Sequence, residues 1–132
     1  LRLELAHRVH LPGFVAEPAT AVGLFDLFAL SSKSEQFPIS VVEAMAAGLA
    51  VVAPDVGDVV DMLAPENREW IAPAGDEETL GAKLLALAAD EELRLRIGNA
   101  NMARARTEYD QEAMIAAYRS TYAQAMRLAS FP

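Results

Sequence analysis

The sequence contains no cysteine among its 132 residues, which removes disulfides, thiolate nucleophiles and cysteine-based metal sites from consideration. It lacks any apolar run approaching the ~20 residues that a membrane-spanning helix needs. Its longest apolar runs are broken every few residues by Asp, Ser, Glu or Pro. No basic stretch followed by an apolar one opens the chain, so no secretory signal is expected. Basic residues are few: 11 Lys and Arg stand against 19 Asp and Glu, for a formal net charge of -8 and a pI near 4.7. Such a balance argues against a nucleic-acid surface, which would present clustered positive charge to phosphates. The two histidines, His7 and His10, have no acid or further ligand spaced for a metal, so no metal site is expected. His10 reads as an ordinary strand residue and His7 as exposed.

What is present is a core-forming composition. Hydrophobic residues make up 53% of the chain, with many alanines and leucines, so one helix-rich domain with a real core is expected. The acids concentrate between Glu66 and Glu92, at helix starts and loops, where they form a solvated face. The chain opens on Leu1 rather than Met, and a longer protein around it is expected. The lack of cysteine fits a cytoplasmic location.

The order of elements is read from apolar periodicity and from Pro and Gly. Leu1–Ala6 reads as the end of a helix and Val9–Leu11 as a short strand stopped by Pro12-Gly13. Pro18–Phe25 fits a short helix with proline in its first turn. Leu27–Leu30 has strand length, and Ser31–Ser34 follows as a polar loop. Pro38 opens a helix that runs to about Ala47 and stops at Gly48. Leu49–Ala53 is a buried strand ended by Pro54, Gly57 a turn, Val59–Leu63 a short helix and Trp70–Ala72 a third strand. Asp76-Glu77-Glu78 and Asp90-Glu91-Glu92 place acids in first helical turns, where the helix dipole favours them. Leu80, Leu84, Leu85 and Leu87 form one apolar face, Leu93 and Ile97 another, and Asp110 caps a last helix to about Leu128. Trp70 and the methionines read as core, and Arg94, Arg96, Arg104 and Arg106 as a solvated face. Strands alternating with helices predict an α/β domain, a Rossmann-like parallel sheet with flanking helices. In the common 3-2-1-4-5-6 order, two strands outside this chain separate Val9–Leu11 from the other three.

The chemistry centres on Glu35 and Glu43, eight positions apart around the helix start at Pro38. In open α/β sheets ligands bind beyond the carboxyl ends of the strands, where the loop Ser31–Phe37 is expected. The free N–H groups of Ile39, Ser40 and Val41, with the helix dipole, suit the anionic centre of a diphosphate. Ser40 divides evenly between simple helix-start chemistry and a hydroxyl contact to phosphate. A carboxylate at Glu43 repels phosphate but accepts hydrogen bonds from a ribose diol. Glu35, which alone reads as a solvated loop acid, can reach the other end of such a ligand. Glu43 stands on the otherwise apolar run Val41–Met45, where a bare acid is costly without partners.

At these residues the sequence resembles the acid–seven residues–acid motif of the retaining GT-B glycosyltransferases, specifically glycosyltransferase family 4 (group 1). Asp26–Ser32 resembles the family's strand and loop, and Glu43–Gly48 with Val51–Ala53 the helix and strand that follow. Val56-Gly57 with Asp61 resembles the next loop, and Pro73–Asp76 the turn before the penultimate helices. The resemblance runs from about Arg8 to about Tyr122. It implies a partial GT-B C-terminal domain that binds the nucleotide-sugar donor over residues 1–132, incomplete at its N-terminal side, with the acceptor domain absent. It further implies that Glu43 binds the ribose hydroxyls and that Glu35 acts at the donor sugar near the anomeric carbon. The amides of Phe37 and of Ile39 to Val41 would hold sugar and phosphate, and Gly13 would lie near the base. The donor is then a substrate rather than a cofactor, transfer to a hydroxyl acceptor retains configuration, and no metal takes part. A cytoplasmic or membrane-peripheral enzyme is implied, the periphery being reached through the absent half.

Three positions depart from the family pattern. Gln36, Asp58 and Glu69 stand where glycine is usual. The family's diphosphate-gripping Arg and Lys belong to an upstream unit outside this chain, and neither Lys33 nor Arg8 is assigned as their replacement. A non-catalytic nucleotide-sugar-binding or interaction module of the same fold is the alternative, and a plain structural α/β domain a third reading. Phe37 reads as a packing residue whose amide matters.

Overall fold

A computed structural model describes Leu5 and residues 7–129. The helix end expected over Leu1–Ala6 falls on residues of which only Leu5 is described. Ten elements follow in order: α1 (Pro18–Val22), β1 (Phe28–Ala29), α2 (Ile39–Ala46), β2 (Val51–Pro54), α3 (Val59–Met62), α4 (Pro65–Arg68), β3 (Ile71–Ala72), α5 (Glu77–Ala89), α6 (Glu91–Glu108) and α7 (Gln111–Met126).

The three strands form a parallel sheet in the order β1-β2-β3. Phe28 aligns with Val51 and Ala29 with Val52, while Ala53 aligns with Ile71 and Pro54 with Ala72. The central strand β2 is buried along its whole length, as a parallel strand covered by helices on both faces must be. Its alternating side chains feed two cores. Val51 and Ala53 meet Val41, Met45, Val59 and Met62 on one face; Ala50 and Val52 meet Leu87 and Ile97 on the other. Helix α6 serves both, with Ile97 in the second core and Ala105 in the first.

Local chemistry accounts for the element ends. Asp76, Asp90 and Asp110 each accept a hydrogen bond from the amide three residues on, at 2.9, 2.9 and 2.8 Å, and so cap α5, α6 and α7. At the end of α2, Gly48 adopts φ +76°; its N–H donates to the Met45 carbonyl and that of Leu49 to the Ala44 carbonyl, a complete Schellman motif. That turn lies under α6. A Cβ built on Gly98 would stand 1.9 Å from the Gly48 carbonyl oxygen, so the two backbones touch with no room for a side chain.

Several expectations are corrected. Val9–Leu11 is not a strand: it is exposed, follows a turn in which Val9 N–H donates to the Leu5 carbonyl, and has no neighbouring strand among the described residues to complete a ladder. Leu85 is 73% exposed, because it lies about 100° around the helix from Leu84, which faces the core. Met45 and Met62 are core, but Met114 and Met126 are exposed on α7 beside Tyr118 and Tyr122, whose rings stack 6.4 Å apart. Arg94 and Arg104 are not merely solvated. Arg94 donates to the Leu87 and Ala88 carbonyls at the end of α5, and Arg104 to the Asp61 and Met62 carbonyls at the end of α3. Each places a cation at the carbonyl end of a helix, where the dipole favours it. Helix α4, which the sequence pattern does not announce, begins with Pro65 in its first turn.

Candidate functional site

The loop after β1 leads directly into α2, so the start of α2 lies at the carboxyl edge of the parallel sheet. Among the four helices of eight or more residues in the described part of the chain, α2 is the one without an aspartate cap: its N-cap residue is Pro38, whose side chain has no acceptor to offer. The amides of Ile39 and Ser40 therefore stand open at the positive end of the helix. Val41 departs from the expectation. It is fully buried, and its N–H donates to the Pro38 carbonyl at 3.0 Å. The open amides are thus two rather than three.

Glu35 and Glu43 flank this start, and both are half-buried. Glu43 stands in the second turn of α2, between positions whose neighbours Val41, Ala44 and Met45 are fully buried. Ser40 is half-buried beside the open amides, and Ile39 is exposed. Phe37 keeps 42% of its surface and meets the Tyr109 ring edge-on, with centroids 5.6 Å apart. Gly13 lies in an exposed stretch outside any helix or strand at φ +76°, with open space where a Cβ would stand, and makes no hydrogen bond to α2 among the described residues. Gln36 exposes its side chain, while its carbonyl accepts the Asp58 N–H at 2.8 Å.

Beside the acid loop, a cavity of about 350 Å³ opens at the strand ends. Ser31, Ser32 and Lys33 line it from the first loop, Pro54 and Val56 from the second, and Gly75, Asp76 and Glu77 from the third, together with Leu80. Neither Glu35 nor Glu43 is among its walls. The Thr79 hydroxyl donates to Asp76 at 2.6 Å and its amide at 2.9 Å, and these bonds hold the Asp76 carboxyl below its ordinary pKa. Among the described residues, no group of three His, Cys, Asp or Glu side chains is arranged to hold a metal ion, and no helix is long and apolar enough to cross a membrane.

Two contacts to the acid loop escaped the sequence. Gly57 abuts the Glu35 and Gln36 carbonyls, and Tyr109 abuts Phe37. Gly57 announces a turn but not its neighbour across the fold, and Tyr109 carries no local signal at all.

Comparison with known proteins gives a consistent set of likenesses. The family model described as glycosyl transferases group 1 matches residues 1–104. An N,N'-diacetylbacillosaminyl-diphospho-undecaprenol alpha-1,3-N-acetylgalactosaminyltransferase of Campylobacter jejuni is 31% identical over 86% of this chain and 30% of its own length. A sulfoquinovosyl transferase of Arabidopsis thaliana is 41% identical over 67% of this chain and 18% of its own. The solved sucrose-phosphate synthase of Thermosynechococcus elongatus shares the fold, with a TM-score of 0.68 at 24% identity over 75% of this chain and 25% of that one. The chain thus spans a third or less of the length of each of these proteins.

Proposed function

This chain belongs to the glycosyl transferases group 1 family, and we propose that it is the part of such an enzyme that holds a nucleoside diphosphate sugar for transfer to a hydroxyl acceptor. The observation that carries this reading is the uncapped start of α2, open at Ile39 and Ser40 and flanked by the half-buried acids Glu35 and Glu43. Two amides and a helix dipole suit a diphosphate, and carboxylates on either side suit the hydroxyls of a ribose and a sugar. The relatives' names agree, since each moves a glycosyl unit.

In this reading the Ile39 and Ser40 amides bind the diphosphate, with the Ser40 hydroxyl as a further donor. Glu43 accepts hydrogen bonds from the ribose diol, and Glu35 from the donor sugar beside its anomeric carbon. The Phe37 amide steadies the sugar, and Gly13 approaches the base. As the glycosidic bond breaks, negative charge grows on the departing diphosphate, and the fixed dipole of α2 stabilises it without reorganisation. The anomeric carbon bonds to the acceptor hydroxyl oxygen with its configuration retained, and the hydroxyl proton leaves to the departing diphosphate. The acceptor is bound by residues outside this chain, and the enzyme works in the cytoplasm or at a membrane surface. A non-catalytic donor-binding module is the second reading.

The test is titration of the full-length protein with UDP-, GDP- and ADP-sugars, followed by product analysis with hydroxyl acceptors. Binding together with transfer that retains configuration supports the enzyme. Binding without transfer leaves the module, and no binding by the full-length protein overturns both.

A further inference from the structure

We infer that Gly57 and Tyr109 are positioning residues that hold the Glu35 loop in place, an inference that rests on the proposed donor site. Four contacts form a closed circuit around the loop. Gly57 stands at φ +57°, and a Cβ there would lie 2.5 Å from the Gln36 carbonyl oxygen and 2.6 Å from that of Glu35. The next residue, Asp58, donates its N–H to the Gln36 carbonyl at 2.8 Å and is the first residue before α3. At the other end of α3, the Met62 carbonyl accepts the Tyr109 hydroxyl at 3.0 Å. The Tyr109 ring then meets Phe37 edge-on, two residues beyond Glu35.

The circuit makes α3 a short strut between two grips on one loop. Gly57 and Asp58 hold the loop by backbone, so no rotamer change can relieve a side chain placed at position 57. Tyr109 holds it by a ring whose direction is fixed by its hydroxyl. Glu43 belongs to α2 and lies outside the circuit. The brace therefore bears on the sugar end of the site and leaves the ribose end alone. A displacement of about 1 Å at a reacting group can cost about 100-fold in rate, so a loosened loop should lower kcat while nucleotide affinity holds.

The experiment compares full-length Gly57→Ala, Tyr109→Phe and Gly75→Ala with the parent. Gly75 also has positive φ, +79°, but nothing within 4 Å of its Cβ position, so Gly75→Ala reproduces the backbone penalty without the collision. Amide hydrogen exchange is read over residues 35–37, and kcat, KM and the affinity for UDP, GDP and ADP are measured beside it. Gly57→Ala should speed exchange over 35–37 where Gly75→Ala does not, and should lower kcat about 100-fold with nucleotide affinity unchanged. Tyr109→Phe, which keeps the ring and loses only the bond to Met62, should fall between and stay folded even where Gly57→Ala does not. Exchange over 35–37 that is unaltered in both variants overturns the brace. Faster exchange with unaltered kcat overturns the positioning role. A parent that binds none of the nucleotide sugars overturns the donor site instead, while the exchange measurement still decides whether the loop is braced.

Discussion

Asn101 donates its side-chain amide to the Oδ1 of Asn67 at 2.7 Å, and both residues are fully buried. Asn67 in turn accepts the Val51 N–H at 2.8 Å and donates to the Val51 carbonyl at 2.7 Å, as a neighbouring strand residue would. The side chain thus extends the ladder of β2 where α4 has taken the place of β3. Asn101 also donates to the Leu49 carbonyl at 2.9 Å and accepts the Ala64 N–H at 3.2 Å, so α6 is tied to β2 and to the start of α4.

Removing the Asn67 amide strands a donor and an acceptor of the central strand away from water. Each such orphan costs about 1–3 kcal/mol, so Asn67→Ala should lose about 2–6 kcal/mol in denaturant unfolding. Asn67→Asp keeps the Oδ1 acceptor but sets an oxygen against the Val51 carbonyl. It should also destabilise, and less so at acid pH, where the protonated carboxyl can donate. An Asn67→Ala variant as stable as the parent would show that the network adds nothing.

The contact between Gly98 and Gly48 predicts an asymmetric pair of alanine substitutions. Gly98→Ala drives a methyl into the Gly48 carbonyl and the Schellman turn that ends α2. Neither backbone can yield alone, so the loss should reach about 3 kcal/mol or more. Gly81, inside α5, has nothing within 4 Å of its Cβ position. Gly81→Ala should stabilise by about 0.5–1 kcal/mol through the lower entropy of the unfolded chain. Thermal unfolding of the two variants should therefore move in opposite directions.

The features legible in the sequence are those whose cause is local. The strand β2 is an apolar run that follows a glycine turn and ends on Pro54, and the carboxyl caps Asp76, Asp90 and Asp110 act within three residues of themselves. The acid pair is likewise written in its spacing around Pro38. What the sequence hides depends on partners far along the chain. Val9–Leu11 has strand-like residues, but a strand exists only beside another. Asn67 and Asn101 look like surface residues until a fold separated by 34 positions brings them together. Gly57 reads as a turn, yet its reason for being glycine lies in the loop of Glu35.

Asp76 gives a pH dependence with a definite sign. Its carboxylate accepts from the Thr79 hydroxyl and amide, which lowers its folded-state pKa below the ordinary value of 3.8. A group depressed on folding contributes stability above its unfolded pKa, and that contribution disappears as pH falls through the lower folded value. Wild type should therefore lose Tm between about pH 4 and the acid limit by more than Asp76→Asn, whose amide oxygen keeps a cap acceptor but does not titrate. Parallel Tm curves for the two proteins from pH 6 to pH 2 would remove this assignment.

The two glutamates should separate when each is changed in the full-length protein. Glu43 stands in the second turn of α2, where the proposed site places a ribose diol, and a hydrogen bond to a charged group is worth about 1.5–3 kcal/mol. Glu43→Ala should weaken nucleotide binding about 10- to 100-fold, by the equivalence of 1.4 kcal/mol with a factor of ten. Glu35 stands before the helix, where the sugar's reacting carbon would lie. Loss of a group that acts mainly on the transition state lowers kcat with little change in ground-state binding. Glu35→Ala should therefore reduce kcat about 100- to 1000-fold, the scale seen when one preorganised transition-state contact is lost, and leave affinity for the free nucleotide unchanged. Calorimetry with the nucleotide and initial rates with the nucleotide sugar read the two effects independently. If Glu35→Ala abolished nucleotide binding while Glu43→Ala left it intact, the ligand would lie the other way round along α2, with its ribose toward the loop that Gly57 braces.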